Sequence, residues 1–411
     1  MDLFDSQYFK INKRVLMICG LWPYQSKLGR IIAFAMLASS IFLFVFTLIA
    51  GILSQSELDI INTEDTIITI SFCFAGLLKC TMFYKQQNKI RNLYERIAID
   101  WNKLTDCSEH NILRSFLLDG RKVNFITMVF CSSAFMIYSC IDFLLRIFNK
   151  ESEYRRQHNF PYYFRPMVLY EKLYDWQVAL HVTVIAIYSG LAYLSAIVTY
   201  ISSVKHVCAL YEIARRRLQN AIIACDKINH PLQKCIEDIS LIPKLINVIE
   251  MHEQAVRGIR IIKKVFGADF FVLTVFCLSA LTIGTFELNF CRADIRSFIR
   301  VLLLMPNVMI YLFYVNYSGE QVIQACDNMY TTAYNIEWYK TSSKTRIFVL
   351  MIMRRTLKSE CLTAGTTIMI LSIKNFATII KTAWSFGTLL LTTQKRGKNE
   401  DANFVAENTL I

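Results

Sequence analysis

An all-α membrane protein with seven transmembrane helices is the fold class this sequence predicts, and three observations predict it. Several stretches are long, nearly uncharged apolar runs, the mark of helices solvated by lipid. The apolar residues run on rather than alternate, which excludes the short strands of a membrane barrel. The basic residues gather in particular connecting segments, as the positive-inside bias produces. The 411 residues are 54% hydrophobic and only 19% charged, so alternating apolar and polar faces of the soluble kind are not the pattern here. The net charge of +13 is accounted for by those loops and needs no nucleic-acid partner.

The clearest span is Ile31 to Leu53, which holds no charge and follows Lys10, Lys13, Arg14, Lys27 and Arg30. It is too long for the apolar region of a signal peptide, and no small-residue cleavage site follows it. Further spans are expected at Thr66 to about Tyr84, Phe125–Leu145, Val178–Val204, Val265–Phe286, Ile299–Tyr317 and Leu362–Thr392. With the N-terminus inside, 31 of the 45 Lys and Arg fall in cytoplasmic segments and 12 in outer ones. The first outer loop decides the matter, because Glu57, Asp59, Glu64 and Asp65 stand there without a basic residue. The predicted topology is N-terminus cytoplasmic and C-terminus extracellular, the reverse of a G-protein-coupled receptor.

The inner segment from Lys205 to Lys264 is too long for a connector. Tyr211, Leu218, Ile222 and Cys225 fall at helical spacing, as do Ile239, Ile242, Ile246 and Ile249. The fourth and fifth membrane helices are therefore expected to continue into the cytoplasm as long amphipathic helices. The outer loop 147–177 is rich in aromatics (Tyr154, Phe160, Tyr162, Tyr163, Phe164, Tyr170 and Tyr174). These either cap a pocket mouth or lie in the membrane interface as an aromatic belt.

No catalytic signature is present. His252–Glu253 opens like a zinc-binding HExxH, but Val256 stands where the second histidine belongs. The thirteen Cys include no zinc-spaced CxxC pair, so they read as small packing residues, and no cofactor or metal is implied. The one glycosylation sequon, Asn316–Tyr317–Ser318, falls at the inner end of the sixth span and should be unmodified.

The last hydrophobic segment carries Lys374, Thr378, Lys381, Ser385, Thr388 and Thr392 at alternating intervals of four and three, one stripe on a helix. Such a stripe suits the wall of a water-filled passage. It equally suits a buried hydrogen-bond seam between helices.

The C-terminal hundred residues carry a resemblance. Phe313–Tyr314–Val315–Asn316–Tyr317–Ser318–Gly319–Glu320, then Ala333–Tyr334–Asn335–Ile336–Glu337–Trp338–Tyr339, resemble the C-terminal signature of insect odorant receptors. So do Arg354–Arg355, Leu362–Thr363–Ala364–Gly365, Leu371–Ser372, Phe376 and Lys381–Thr382–Ala383–Trp384–Ser385–Phe386–Gly387–Thr388–Leu389–Leu390, in order. Near the start, Gly20–Leu21–Trp22–Pro23 is similar to the family's N-terminal signature. Each motif has few fixed letters, but together with length and inverted topology they are specific.

The resemblance implies an odorant receptor that binds small volatile ligands and gates a non-selective cation channel. It would act as tuning subunit of a heterotetramer with a shared co-receptor, in the plasma membrane of an olfactory neuron dendrite. Partners would be the odorant, co-receptor subunits, membrane lipid and mono- and divalent cations. The co-receptor's large extra inner loop is missing here. The alternatives are a gustatory-receptor-like homomeric channel and, further off, a G-protein-coupled receptor; a transporter's internal repeats are not found.

On this reading the domains are a cytoplasmic segment (1–30), transmembrane helices one to four (31–204), cytoplasmic extensions (205–264), helices five and six (265–317), cytoplasmic anchor helices (318–361), a pore-lining seventh helix (362–393) and an extracellular polar tail (394–411). The resemblance assigns pore and gate to Ser385, Thr388, Leu389, Thr392 and Thr393, with Leu389 in an apolar ring and a polar Thr393 at the next ring position. Subunit anchoring falls to Tyr334, Trp338 and Arg354, within a region that includes Lys344–Arg355. The odorant pocket would lie in the outer half of the bundle, where Phe72, Phe135, Tyr138, Asp142, His181, Ile185, Tyr188 and Met305 are the candidates. Pockets for small volatiles are mostly apolar with few polar anchors, and Asp142 and His181 are the ionisable ones. Two features depart from the family: Lys358–Ser359–Glu360 where a Pro is common, and the long tail from Gln394 to Ile411.

Overall fold

The uncharged run from Ile31 to Leu53 forms one uninterrupted helix, and its Ser39 and Ser40 hydroxyls turn back to the Met36 and Leu37 carbonyls. The computed structural model describes residues 3–53, 74, 76–148, 174–226, 231–290, 295–365 and 368–408. It is all-α apart from one small hairpin. The helices are α1 (Lys10–Ile18), α2 (Lys27–Leu53), α3 (Gln87–Lys103), α4 (Cys107–Phe148), α5 (Tyr174–Asp226), α6 (Pro231–Phe290), α7 (Ile295–Asn335), α8 (Ser343–Thr356) and α9 (Ile373–Asn408). Residues 76–85 are also helical. Strands β1 (Thr363–Ala364) and β2 (Met369–Ile370) pair antiparallel, Thr363 opposite Ile370.

Among the described residues, Leu194–Ile222, Leu241–Leu288 and Val301–Asn335 are helical stretches long and apolar enough to cross a membrane. They differ in surroundings. The α5 stretch is almost wholly buried, whereas the α6 and α7 stretches are largely uncovered. A helix that is apolar all round belongs at the centre of a bundle, and α5 packs against α4, α6 and α7. Several of its polar groups are answered locally or across the core. Ser203 and Thr199 donate to carbonyls one turn back at 2.7 and 2.9 Å, and the Tyr200 hydroxyl donates to Val315 O at 3.1 Å. On α2 the opposite holds: Ile31, Ile32, Met36, Phe42, Leu43 and Phe46 are exposed, an apolar face that needs lipid.

The long continuations expected of the fourth and fifth spans are present as continuous helix. Helix α5 has 53 residues and α6 has 60, about 80 and 90 Å at 1.5 Å per residue. Tyr211, Leu218 and Ile222 are buried as their spacing predicts. On α6 the stripe is rotated by about one residue from expectation. Leu241, Leu245, Val248, His252 and Ala255 face the core, and Ile246 is exposed. An Ile-rich pattern outvoted by Leu and Ala is the cause, since two overlapping 3–4 repeats share this segment. Two side-chain contacts tie the extensions to the neighbouring helices: Arg217 grips Glu109 with two bonds of 2.6 Å, and His206 Nε2 lies 3.1 Å from Asp100 Oδ2.

The last predicted span begins differently. Leu362 to Ile370 is largely the hairpin, not helix, because Gly365 takes φ +72° and its N–H donates to Gly267 O at 2.8 Å. Helix α9 starts only at Ile373 and continues through the polar tail to Asn408.

The N-terminal motif closes the α1–α2 turn. Gly20 sits at φ +67°, Leu21 and Trp22 are buried, and Asn12 of α1 donates to Ser202 Oγ at 2.7 Å. Burial pushes the neighbouring Cys19 thiol up to about 12, which keeps it a neutral packing group. A Cβ on Gly20 would lie 2.7 Å from Arg30 O and 2.9 Å from Ala33 Cβ. Gly20→Ala should therefore destabilise the purified protein by more than about 1 kcal/mol, read as a lowered Tm in detergent. An unchanged Tm would show that the turn relaxes freely.

Candidate functional site

The start of α9 is built by α7. Asn316, 1% exposed, fixes its own amide by donating to Leu312 O at 2.9 Å. Its Oδ1 then accepts from Ser372 N at 3.3 Å and from Asn375 Nδ2 at 3.0 Å. One turn further along α7, Glu320 Oε2 accepts from Ile373 N at 3.2 Å, and Ser372 Oγ accepts from Asn375 N at 3.2 Å. The leading N–H groups of a helix have no intrahelical acceptor, and here two α7 side chains and a Ser cap supply them. Gly319 lies between, where a Cβ would overlap the Leu371 backbone, so only glycine allows this approach. The hairpin just before α9 rests on Gly267 of α6, whose missing side chain leaves room for the Thr363 and Gly365 carbonyls. Thus the Asn316, Gly319, Glu320 and Ala364–Gly365 letters of the sequence signature form one seat.

Above the seat, α9 buries Ile379, Ala383 and Gly387 against α6 and α7. Gly387 is the point of closest approach, since a Cβ there would overlap the Thr285 side chain. The polar stripe takes another face. Lys374, Thr378, Lys381, Ser385, Thr388 and Thr392 are all exposed, as are Leu389 (59%) and Thr393. The hydroxyls need no second helix: Thr388 donates to Ser385 O at 2.9 Å, and Thr392 and Thr393 donate to Leu389 O at 2.8 and 3.0 Å. The stripe is therefore not a seam buried within the protomer.

Of the candidate ligand residues, Met305 is the one whose side chain is described. It is half-buried and its Sδ would lie 3.2 Å from a Cβ on Gly284 of α6. It packs against a small apolar cluster of Leu281 on α6, Val308 and Leu312 on α7, and Ile379 and Ala383 on α9. Phe72 lies outside the described residues. So do the side chains of Phe135, Tyr138 and Asp142 on α4 and of His181, Ile185 and Tyr188 on α5, and most of the loop 147–177. Helix register alone places Phe135, Tyr138 and Asp142 on one face of α4.

Sequence reasoning missed Lys79. It is 1% exposed, its Nζ donates to Tyr311 Oη at 2.8 Å, and it sits 4.5 Å from that ring's centroid. Asp269 of α6, also buried, lies within its electrostatic reach. The charge count places Lys79 among the cytoplasmic basic residues although the second span extends past it to about Tyr84; a lysine directly after the apolar run ending at Leu78 is the available signal. Tyr311 is the neighbour of Leu312, so this charge reaches the α7 surface that carries α9.

Of the anchor candidates, Tyr334 is exposed and stacks at 6.4 Å on Tyr330, Trp338 packs half-buried against the main core, and Arg354 is exposed. Helix α8 leaves Ile347, Leu350 and Met351 uncovered on one face. The Lys358–Ser359–Glu360 departure forms a clamp. Ser359 hydrogen-bonds Asp327 of α7, while Glu360 pairs with Arg355 at 2.8 Å and with Lys263 of α6 at 3.8 Å.

The family profile described as 7tm Odorant receptor matches residues 61–384. The structure of the insect olfactory receptor OR5 from Machilis hrabei in complex with eugenol is similar, with a TM-score of 0.75 and 13% identity over 94% of this chain and all of that one. A structure of the same receptor, described without a ligand, gives a TM-score of 0.65 and 15% identity over 94% of this chain and 98% of that one. At these identities the likeness concerns the fold. No curated protein sequence matches the chain.

Asn316→Leu removes the acceptor for Ser372 N and Asn375, a loss of about 1–3 kcal/mol for buried partners left unpaired. Amide exchange at the first turn of α9 should rise by on the order of tenfold in hydrogen-exchange mass spectrometry, with α5 unchanged. Equal protection in the variant would remove Asn316 from the seat.

Proposed function

The chain belongs to the 7tm odorant receptor family, and on that premise we propose that it is the odour-tuning subunit of a ligand-gated cation channel, assembled as a heterotetramer with the family's co-receptor. The observation that carries the proposal is the exposed polar stripe of α9, from Lys374 to Thr392, on a helix whose other face is held by α6 and α7. Polar groups at membrane depth are stable against water and costly against lipid. Four such helices around one axis supply a wet passage, with Ser385, Thr388 and Thr392 along its wall and Leu389 as the apolar constriction. Thr393 stands at the next ring position, so closure relies on the co-receptor's contribution to that ring.

The proposed orientation has the N-terminus in the cytoplasm, as the asymmetry of basic residues supports. On it, α8 and the inner ends of α5 to α7 form the anchor between subunits. The uncovered Ile347, Leu350 and Met351 and the exposed Tyr334 supply apolar surface for that contact, and Arg354 lies at its rim.

The ligand is a small, mostly apolar volatile. Eugenol, a compact phenol, occupies that role in the named relative's complex. Here the pocket is assigned to Phe72, Phe135, Tyr138, Asp142, His181, Ile185, Tyr188 and Met305. Met305 touches the cluster that also holds Ile379 and Ala383 of α9, so a ligand that displaces it acts on the pore helix through Leu281, Val308 and Leu312. Such a ligand opens the channel only by binding the open arrangement better than the closed one.

Whole-cell current during an odour-panel screen, with and without the co-receptor, tests the subunit role. Odour-evoked cation current should require both chains and persist when G-protein signalling is blocked. Current from this chain alone would replace the tuning-subunit reading with a self-sufficient homomer. In the same assay Leu389→Ala should raise the current measured without odour several-fold at equal surface expression. An unaltered resting current would remove Leu389 from the gate.

A further inference from the structure

We propose that α1 and the turn into α2 form a seat for anionic phospholipid headgroups of the cytoplasmic leaflet. The proposal rests on the reading of α2 as a membrane helix that starts at the cytoplasmic face. Helix α1 has one face committed to the protein: Asn12, Val15 and Leu16 are buried, and Asn12 is bonded to Ser202 at 2.7 Å and accepts from Asn124 at 3.4 Å. That fixes its rotation. The outward face is Lys10, Arg14, Met17 and Ile18, at i, i+4, i+7 and i+8, and all four are exposed. Met17 is 42% and Ile18 52% exposed, which is an unusual arrangement for large apolar groups beside two cations.

The strip does not stop at the end of α1. Beyond the Gly20 turn, Lys27 and Leu28 are exposed, Leu28 at 69%, and the uncovered Ile31 and Ile32 of α2 follow directly. In the chain, the apolar residues of the strip therefore lead directly into the surface that α2 turns to lipid. Lys13 is neutralised by Asp5, whereas Lys10, Arg14 and Lys27 have no acidic partner among the described residues. Apolar side chains at acyl depth with cations at headgroup height are how an interfacial helix holds a charged leaflet. Continuity with α2 and the unbalanced positive charge select an anionic lipid over a protein partner. A protein partner would have to enter the bilayer to cover the same strip.

Native mass spectrometry of the purified full-length chain, titrated with phosphatidylserine or phosphatidylcholine, reads this directly. The wild type should retain phosphatidylserine preferentially. The triple variant Lys10→Gln, Arg14→Gln, Lys27→Gln should lose that preference by up to ~100-fold, at roughly fivefold per surface cation. Lys103→Gln, an exposed cation elsewhere, should leave it intact. Equal phosphatidylserine retention by wild type and triple variant, both folded by circular dichroism, would overturn the seat. An N-terminal epitope reached by antibody in intact cells would instead overturn the cytoplasmic orientation, and the leaflet assignment with it, whatever the lipid titration gives.

Discussion

The first N–H groups of α9 have no intrahelical acceptor, and the remaining architecture is arranged around supplying them. A helix that starts at a membrane boundary cannot leave those donors to chance, because an unpaired polar group costs most where water is scarce. Asn316 and Glu320 reach from α7 to Ser372, Asn375 and Ile373. Gly319 permits the approach, and the hairpin anchored on Gly267 sets where the chain turns. The pore helix of the proposed channel is thus positioned by α6 and α7, at a base common to both. It is free to expose a polar stripe because Phe376, Ile379, Ile380, Ala383 and Gly387 carry its packing on the other side.

In the proposed function, this arrangement gives the ligand pocket a mechanical route. Met305 sits on Gly284 and beside Leu312, and Tyr311 next to it holds the buried Lys79. Helix α7 thus contacts α9 through Leu312 and the helical residues 76–85 through Tyr311. The Lys79 ammonium is costly to bury without Tyr311 and its other neighbours. The Ser359 and Glu360 clamp links α6, α7 and α8 at the Lys358–Ser359–Glu360 departure from the family pattern.

Much of this is legible in the amino-acid sequence. The uncharged run from Ile31 to Leu53 and the spacing of Tyr211, Leu218 and Ile222 mark helices and buried faces directly, because periodicity reports burial. The stripe from Lys374 to Thr392 is legible as one helical face, but not which way it faces. Rotation about a helix axis is set by partners, and the decisive ones, Gly387 against Thr285 and Asn316 against Ser372, are distant in sequence. The α6 stripe differs from its expected register by a residue because two overlapping 3–4 repeats share that segment. Lys79 escapes notice because a charge at the end of an apolar run is ordinarily a loop residue. Glycines 267, 319 and 387 are visible as letters in the chain, and their role as points of close backbone approach becomes readable only in three dimensions.

The central claim is that the exposed stripe of α9 faces the conducting water. The direct measurement is odour-evoked current through Thr388→Cys, co-expressed with the co-receptor, before and after a positively charged thiol reagent applied from outside. The account predicts that the reagent suppresses current in Thr388→Cys and leaves the parent channel and a cysteine placed on the packed face at Ile379 unaffected. Undiminished current through Thr388→Cys, with its labelling verified, would contradict it.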